Sequence, residues 1–193
     1  MSAKSIMIVG VGGQGTLLAS RILGQALLNQ GFDIKVSEVH GMSQRGGSVV
    51  TYVKYGEKVY SPVVRDCEAD LIIAFEQLES VRWINHLKKD GKVIINTQEI
   101  DPMPVVIGAV EYPKDLINSI KQKNISTTAL DALSLAIEAG SPKAVNVVLI
   151  GVLANIMDFD KSVWIDAIKE TVPQKFLDMN LKAFDLGYDY KTI

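Results

Sequence analysis

A chain of 193 residues can build one sizeable hydrophobic core but is short for two, so we expect a single domain over residues 1–193. With 20 basic and 22 acidic residues the net charge is −2, which argues against nucleic-acid binding. No apolar run approaches the roughly 20 residues that a membrane-spanning helix needs, yet hydrophobic residues make up 48% of the chain, which indicates that a partner subunit covers part of its surface.

The cysteine count limits which metal cofactors the chain can hold, and the first residues indicate its cellular compartment. Cys67 is the single cysteine, which excludes an internal disulfide and a self-contained zinc or iron–sulfur site built from four cysteines. The first residues lead directly into a strand-like run, without the basic region, apolar stretch and cleavage site of a secretory peptide. We therefore expect a cytoplasmic protein that binds no metal of its own.

The first 39 residues predict a strand, a helix and a second strand. Ser5–Val9 is a short apolar run that ends in glycines, Thr16–Asn29 places leucines and isoleucines at helical spacing, and Asp33–Val39 alternates apolar and polar residues. Such a unit places its two strands parallel in one sheet, joined by a right-handed crossover.

A glycine-rich turn joins the first strand to the first helix. Glycines let the backbone approach an anion, and the free N–H groups at a helix start favour negative charge. We take its residues as candidate phosphate or ligand contacts: Gly10, Gly12, Gly13, Gln14 and Gly15. Glu38 follows Gly15 by 23 residues, about where a dinucleotide-binding protein places the acid that binds the ribose. Three interpretations stay open: NAD binding, tight packing alone, or another phosphate-bearing ligand such as coenzyme A or the diphosphate of a thiamine cofactor offered by a partner.

A second polar loop, residues 40–47, follows the second predicted strand. Loops at the carboxyl ends of strands in an open α/β sheet converge on one crevice, so we expect this second loop to face the glycine turn. Its candidate ligand-binding residues are Met42, Ser43, Gln44, Arg45, Gly46 and Gly47. Arg45 could present its guanidinium to a phosphate or carboxylate, or could pair with a carboxylate of the protein. His40 and Glu38 share a strand face and could form an acid–base pair.

The middle of the chain predicts a mixed sheet. Ser48–Val53 and Lys58–Val64 are rich in Val, Tyr and Thr, which favours an inserted β-hairpin. Alternation then resumes with a buried strand at Asp70–Phe75, an amphipathic helix at Gln77–Lys89 that Gly91 would end, and a second buried strand at Lys92–Asn96.

The remainder predicts irregular structure, one strand and several helices. Ser141 and Pro142 mark the start of a helix that is apolar on nearly every face, which the sheet and either later helices or another subunit must cover. The predicted elements are irregular structure at Asp101–Pro113, helices at Lys114–Gln122, Ala129–Ala139, Lys143–Met157, Val163–Thr171 and Gln174–Leu186, and a strand at Asn124–Thr128.

Together these segments resemble the gamma domain of the 2-oxoacid:ferredoxin oxidoreductases, and most closely the branch that acts on indolepyruvate. The resemblance is carried by residues 6–27, 38–56, 69–96 and 146–153, and the pairing of G-x-G-G-Q-G with S-Q-R-G-G is more specific than either motif alone. It implies a Rossmann-like α/β three-layer sandwich with a mostly parallel sheet, an inserted β-hairpin and C-terminal helices.

The resemblance also implies an activity and a division of labour. Enzymes of this family oxidatively decarboxylate a 2-oxoacid with coenzyme A to acyl-CoA, carbon dioxide and reduced ferredoxin. In the branch that this chain resembles, thiamine diphosphate and the iron–sulfur clusters lie on a large alpha subunit, so this chain would have a supporting role beside it. Asn146 is similar to a family position, although it could equally satisfy a buried carbonyl. The alternatives are a subunit specific for pyruvate or 2-oxoglutarate, or a free-standing dinucleotide-binding protein.

Overall fold

The computed structural model describes residues 3–38 and 46–191. Six strands form one sheet in the order β2-β3-β1-β4-β5-β6. The strands are β1 (Lys4–Val11), β2 (Asp33–Glu38), β3 (Ser48–Gly56), β4 (Ala69–Ala74), β5 (Leu87–Asn96) and β6 (Ser126–Leu130). The α-helices are α1 (Thr16–Asn29), α2 (Gln77–Trp83), α3 (Met103–Val106), α4 (Leu116–Lys121), α5 (Ala132–Ala139), α6 (Val145–Ile156), α7 (Lys161–Thr171) and α8 (Leu177–Tyr188). Within these ranges no helix combines the length and the apolar character needed to cross a bilayer.

The sheet is mixed and mostly parallel, as predicted. β1, β4, β5 and β6 pair in parallel, whereas β3 is antiparallel to both of its neighbours, β1 and β2. β2 therefore runs in the same direction as β1, but β3 separates the two strands. The carboxyl ends of β1, β4 and β5 meet at one edge of the sheet, where the loops that follow them can form a site.

The prediction of a second hairpin strand at Lys58–Val64 is wrong. The structure has no strand there, and β3 instead pairs along eight residues with β1, from Lys4 opposite Tyr55 to Val11 opposite Ser48. β2 and β3 are the consecutive antiparallel strands, so the antiparallel insertion lies one element earlier than predicted. Pro62 cannot donate a ladder hydrogen bond, which disfavours pairing of this segment.

The predicted helix at Gln77–Lys89 is shorter than expected. It ends at Trp83, a 3₁₀ turn covers Ile84–His86, and β5 begins at Leu87, so Gly91 lies inside a strand rather than at a helix end. A Cβ on Gly91 would lie 2.7 Å from the Leu87 side chain, and Asp90 has a φ of 66°. The Asp90–Gly91 pair is therefore a local bend in β5. The polar residues around it also fit the exposed face of a helix, which is why the sequence favoured a helix there.

Helices cover both faces of the sheet, and the sheet divides the hydrophobic core into two parts. Apolar side chains of β1 and β4 pack on one face against α1 and α5 to α8, while alternate residues of the same strands pack on the other face against α2 and α4. α6 has ten consecutive buried residues, Val145–Ala154, as its pattern predicted, and α8 packs closely along it. The C-terminal helices therefore cover this helix within the chain itself. The predicted cap at Ser141 is confirmed, because its hydroxyl accepts a hydrogen bond from the Lys143 N–H at 3.2 Å. It caps a 3₁₀ turn, Pro142–Ala144, and α6 itself begins at Val145, two residues later than predicted.

Candidate functional site

The glycine turn lies between β1 and α1, as predicted. Gly13 and Gly15 have φ angles of 103° and 81°, a backbone region that residues with a side chain rarely adopt. Gly10 lies where the strand ends against Phe75, and a Cβ there would be 2.9 Å from the Phe75 Cβ. The glycines are thus required by backbone geometry and close packing, whether or not a ligand binds.

Gln14 holds this turn against the neighbouring strand. Its Oε1 accepts a hydrogen bond from the Val11 N–H at 2.8 Å, and its Nε2 donates to the Phe75 carbonyl at 2.9 Å. Asn96 donates to the same carbonyl at 2.9 Å and ties β5 to the group. Both amide atoms are engaged within the protein, so Gln14 shapes the turn, and contact with a ligand stays a prediction.

Asn146 anchors the turn from the opposite side. This side chain, 3% exposed at the start of α6, donates from Nδ2 to the Gly15 carbonyl at 3.1 Å. Its Oδ1 accepts from the Val147 N–H at 2.9 Å. Of the two roles that the sequence left open for Asn146, the structure provides the satisfaction of a buried carbonyl.

The second loop ends beside the glycine turn. Gly12 donates its N–H to the Gly47 carbonyl at 2.9 Å, and Ser48 pairs with Val11 at the end of the ladder. Gly46, with a φ of 90°, precedes this contact. The other predicted residues of this loop lie outside the described residues: His40, Met42, Ser43, Gln44 and Arg45. The described end of the second loop and the glycine turn therefore lie at the same edge of the sheet.

Two cavities border the glycine turn. One, of about 310 Å³, lies between the turn, the start of α1, Glu38 and residues 49–51 of β3. The other, of about 520 Å³, lies between the turn, Gln98, Leu133 and the start of α6, where Lys143 supplies a positive charge. The sequence did not single out Lys143 or Gln98, because only the fold brings residues from four elements together here.

Glu38 reaches the first cavity but not in the arrangement of a dinucleotide site. It accepts a hydrogen bond from the Ser20 hydroxyl at 2.7 Å. The ribose-binding acid of the dinucleotide fold closes the strand next to β1. Here β3 occupies that place, which sets Glu38 one strand spacing, about 4.8 Å, further away. The inserted strand therefore disfavours the classical mode of NAD binding.

A buried acidic cluster that no sequence motif indicated lies beneath the same edge. Glu76 and Glu79 are 1% and 3% exposed. Glu76 caps α2 by accepting from the Glu79 N–H at 2.9 Å, and it also accepts from the Tyr112 hydroxyl. Glu79 accepts from the Ser48 hydroxyl and lies 3.4 Å from the Arg82 guanidinium. The cluster thus fixes the start of β3, directly after the second loop.

The Glu79 carboxyl makes stability depend on pH. Burial raises its pKa above the ordinary value of 4.5; the Ser48 and Arg82 contacts oppose this shift, and the Glu76 charge adds to it. A raised pKa in the folded state means that the native protein holds the proton more tightly than the unfolded chain does. The resulting stabilisation is complete below the ordinary pKa and is lost as the pH rises through the folded value.

Glu79→Gln is therefore expected to reduce the loss of stability that wild type shows as the pH rises above the ordinary carboxyl pKa of 4.5. Urea unfolding of wild type and variant across this range isolates the contribution of Glu79, because all other carboxyls are common to both proteins. The free energy of unfolding of the variant should rise relative to wild type as the pH increases. A difference that stays constant with pH, or that changes in the opposite direction, would contradict a raised pKa.

The side chains that could ligate a metal do not form a metal centre in the described part of the chain. Among residues 3–38 and 46–191 no three His, Cys, Asp or Glu side chains are grouped as ligands. Cys67 is exposed, with its Sγ 3.7 Å from the Asn85 carbonyl.

The fold and the turn define an α/β protein with a glycine-rich turn of the dinucleotide-binding type at the carboxyl edge of a mixed sheet. The family model described as pyruvate ferredoxin/flavodoxin oxidoreductase matches residues 5–190, and the chain belongs to that family. The family expected from the two glycine motifs is thereby confirmed.

Individual relatives are similar along the whole chain. Indolepyruvate oxidoreductase subunit IorB of Pyrococcus horikoshii is 45% identical over 97% of this chain and 95% of that relative. Ketoisovalerate oxidoreductase subunit VorA of Methanothermobacter marburgensis is 30% identical over 96% of this chain, but the match spans only 36% of that longer protein. The crystal structure of pyruvate oxidoreductase subunit PORC from Thermotoga maritima has a TM-score of 0.74 and 20% identity, covers 98% of this chain and 97% of its own, and shares the fold.

Proposed function

We propose that this chain is the beta subunit of a cytoplasmic indolepyruvate ferredoxin oxidoreductase. The reaction is the oxidative decarboxylation of an aryl pyruvate with coenzyme A, which gives an acyl-CoA, carbon dioxide and reduced ferredoxin. The observation that carries this proposal is the 45% identity to indolepyruvate oxidoreductase subunit IorB over nearly the full length of both proteins. Ferredoxin meets the enzyme through the complex rather than through this chain alone.

The redox cofactors are assigned to a large alpha subunit. An iron–sulfur cluster of the ordinary type needs four thiolates, and this chain has one cysteine. A diphosphate cofactor such as thiamine diphosphate is commonly held through a divalent cation bound by carboxylates. The described residues lack a cluster of such ligands, so this part of the chain does not fit that group. Its own contribution is to shape and close the site that the large subunit carries.

The glycine turn and the second loop form the ligand-binding face in this proposal. Gly13 is exposed, and no atom lies within 4 Å of where its Cβ would be, so an anionic group can approach its backbone. Lys143 lines the adjoining cavity and Arg45 belongs to the second loop, so each can supply a cation for a phosphate of coenzyme A or for the substrate carboxylate. The helix dipole of α1 favours the same sign of ligand charge.

Reconstitution with the large subunit tests this function. The two chains, expressed together and assayed with indolepyruvate, coenzyme A and ferredoxin, should turn over at least about tenfold faster than the large subunit alone, which corresponds to about 1.4 kcal/mol of barrier. Pyruvate and 2-oxoglutarate in parallel assays distinguish the other 2-oxoacid specificities. Equal activity of the large subunit with and without this chain would reject the proposal, and micromolar NADH binding by the isolated chain would favour the dinucleotide alternative.

A further inference from the structure

An exposed apolar loop projects from the edge that carries the candidate site. Residues 101–111, called here the apolar loop, include α3 and present four large hydrophobic side chains to solvent. These are Met103 (69% exposed), Val106 (64%), Ile107 (69%) and Val110 (56%). Single exposed hydrophobic residues are ordinary, but four within eight positions of one short loop are of the kind that marks an interaction surface.

The apolar loop is held in a fixed shape. At its two ends, the Ile100 N–H at 3.3 Å and the Tyr112 hydroxyl both donate to one oxygen of Glu76, which is buried. Burial, reinforced by this carboxylate, raises the pKa of Tyr112, so its hydroxyl keeps its proton. Within the loop, Ile107 donates to the Met103 carbonyl at 3.0 Å, and prolines at 102 and 104 restrict the backbone. A loop ordered in advance loses little entropy when a partner binds it.

The apolar loop is continuous with the candidate site. It begins three residues after Gln98, which lines the larger cavity together with Gly13 and Gly15. The Gln98 carbonyl also accepts from the Gln77 N–H at 3.2 Å, which ties this stretch to the start of α2. A partner that closes over the glycine turn from this side reaches the apolar loop as part of the same surface.

The charged residues around the apolar loop indicate what kind of partner surface would fit it. Asp101 and Glu111 bound it, Glu99 precedes it, and Lys114 is the nearest basic residue in the sequence after it. The complementary surface is therefore an apolar socket with a basic rim.

We propose that the apolar loop is the docking element for the large subunit of the oxidoreductase, an inference that rests on the function proposed above. In the VorA relative the matching region is 36% of a longer protein, so most of that polypeptide is joined covalently to the equivalent domain. Where the corresponding portion is a separate chain, a non-covalent interface must replace that linkage, and its core is expected to be apolar.

The test replaces the two central side chains of the apolar loop in the full-length chain. Val106→Ser with Ile107→Ser should weaken the dissociation constant for the large subunit by on the order of 100-fold, the loss expected when interface anchors are truncated. The matched control is Leu28→Ser with Ile137→Ser, two comparably exposed residues of α1 and α5, which should leave the dissociation constant unchanged. Thermal unfolding of both variants alone checks that each one folds.

The outcomes separate the docking element from the function. If wild type forms an active complex and the loop variant binds as tightly as wild type does, the docking proposal is overturned while the function stands. If wild type forms no complex with the large subunit, both are overturned. If wild type alone sediments as a dimer that the loop substitutions convert to a monomer, the loop binds a second copy of this chain and the assigned occupant is wrong.

Discussion

Gly187→Ala is expected to destabilise the protein by about 3 kcal/mol, the upper part of the range for an overpacked core, or by roughly 10 °C in melting temperature for a chain of this size. α6 and α8 touch backbone to backbone at this point. A Cβ on Gly187 would lie 2.0 Å from the Val148 carbonyl oxygen. One on Gly151, in the facing helix, would lie 2.3 Å from the Phe184 carbonyl oxygen. Neither obstacle is a flexible side-chain end, so the helices would have to separate.

Separation is costly because of what these helices bury. Phe184 on α8 and Val148 on α6 are fully buried, as is Trp164 on α7 beside them. Moving α8 outward opens space along this whole row, and interiors tolerate such gaps poorly. A loss of about 3 kcal/mol is a large share of the stability of an ordinary domain.

Gly24→Ala is the matched control for Gly187→Ala. Gly24 is also buried inside a helix, α1, but its Cβ would meet only the Ile34 side chain, at 3.5 Å, an ordinary contact distance. Alanine is favoured over glycine inside a helix by about 0.5–1 kcal/mol, so this variant should match or exceed wild-type stability. Urea unfolding of the three proteins measures both effects. Equal stability of Gly187→Ala and Gly24→Ala would contradict the proposed contact between the helices.

Local signals predicted those parts of the fold that short-range patterns determine. The apolar character of α6 and the capped turn at Ser141–Pro142 before it each depend on residues close together in the sequence, and both were predicted. The place of β3 between β1 and β2 depends on pairing between residues 37 to 51 positions apart, from Val11 opposite Ser48 to Lys4 opposite Tyr55. The alternating residues of Lys58–Val64 fit a strand equally well, so composition could not identify which segment the sheet accepts.

The candidate site was predictable to a similar extent. The glycine turn was located by its spacing and context, but Gln14 was grouped with the ligand contacts although its amide holds Val11 and Phe75. Glu76 and Glu79 were passed over because carboxylates on a short amphipathic helix are usually exposed. The one local signal for them is their position directly after a fully buried strand, where the first turn of a helix favours an acidic cap.

Gly15→Ala is expected to cost about 3 kcal/mol, because it combines two effects. Alanine at a φ of 81° is strained by about 1–2 kcal/mol. Its Cβ would also lie 2.8 Å from the Asn146 Nδ2, which donates to the carbonyl of this same glycine. The buried amide must then move and lose its hydrogen bond, at a further cost of about 1–3 kcal/mol. Gly13→Ala separates the two effects, since its φ is 103° but no atom lies within 4 Å of its Cβ, so only the strain should remain.

A double-mutant cycle identifies Asn146 as the cause of the difference. Asn146→Ala alone should destabilise the protein by about 1–2 kcal/mol, through the lost bond to the Gly15 carbonyl. In the Gly15→Ala background the same change removes the side chain that clashes, so the double variant should be no less stable than Gly15→Ala. Costs that add would mean that the two residues act independently. Non-additive costs would show that Asn146 links α6 to the glycine turn. The long buried helix then sets the position of the backbone on which the proposed ligand-binding face depends.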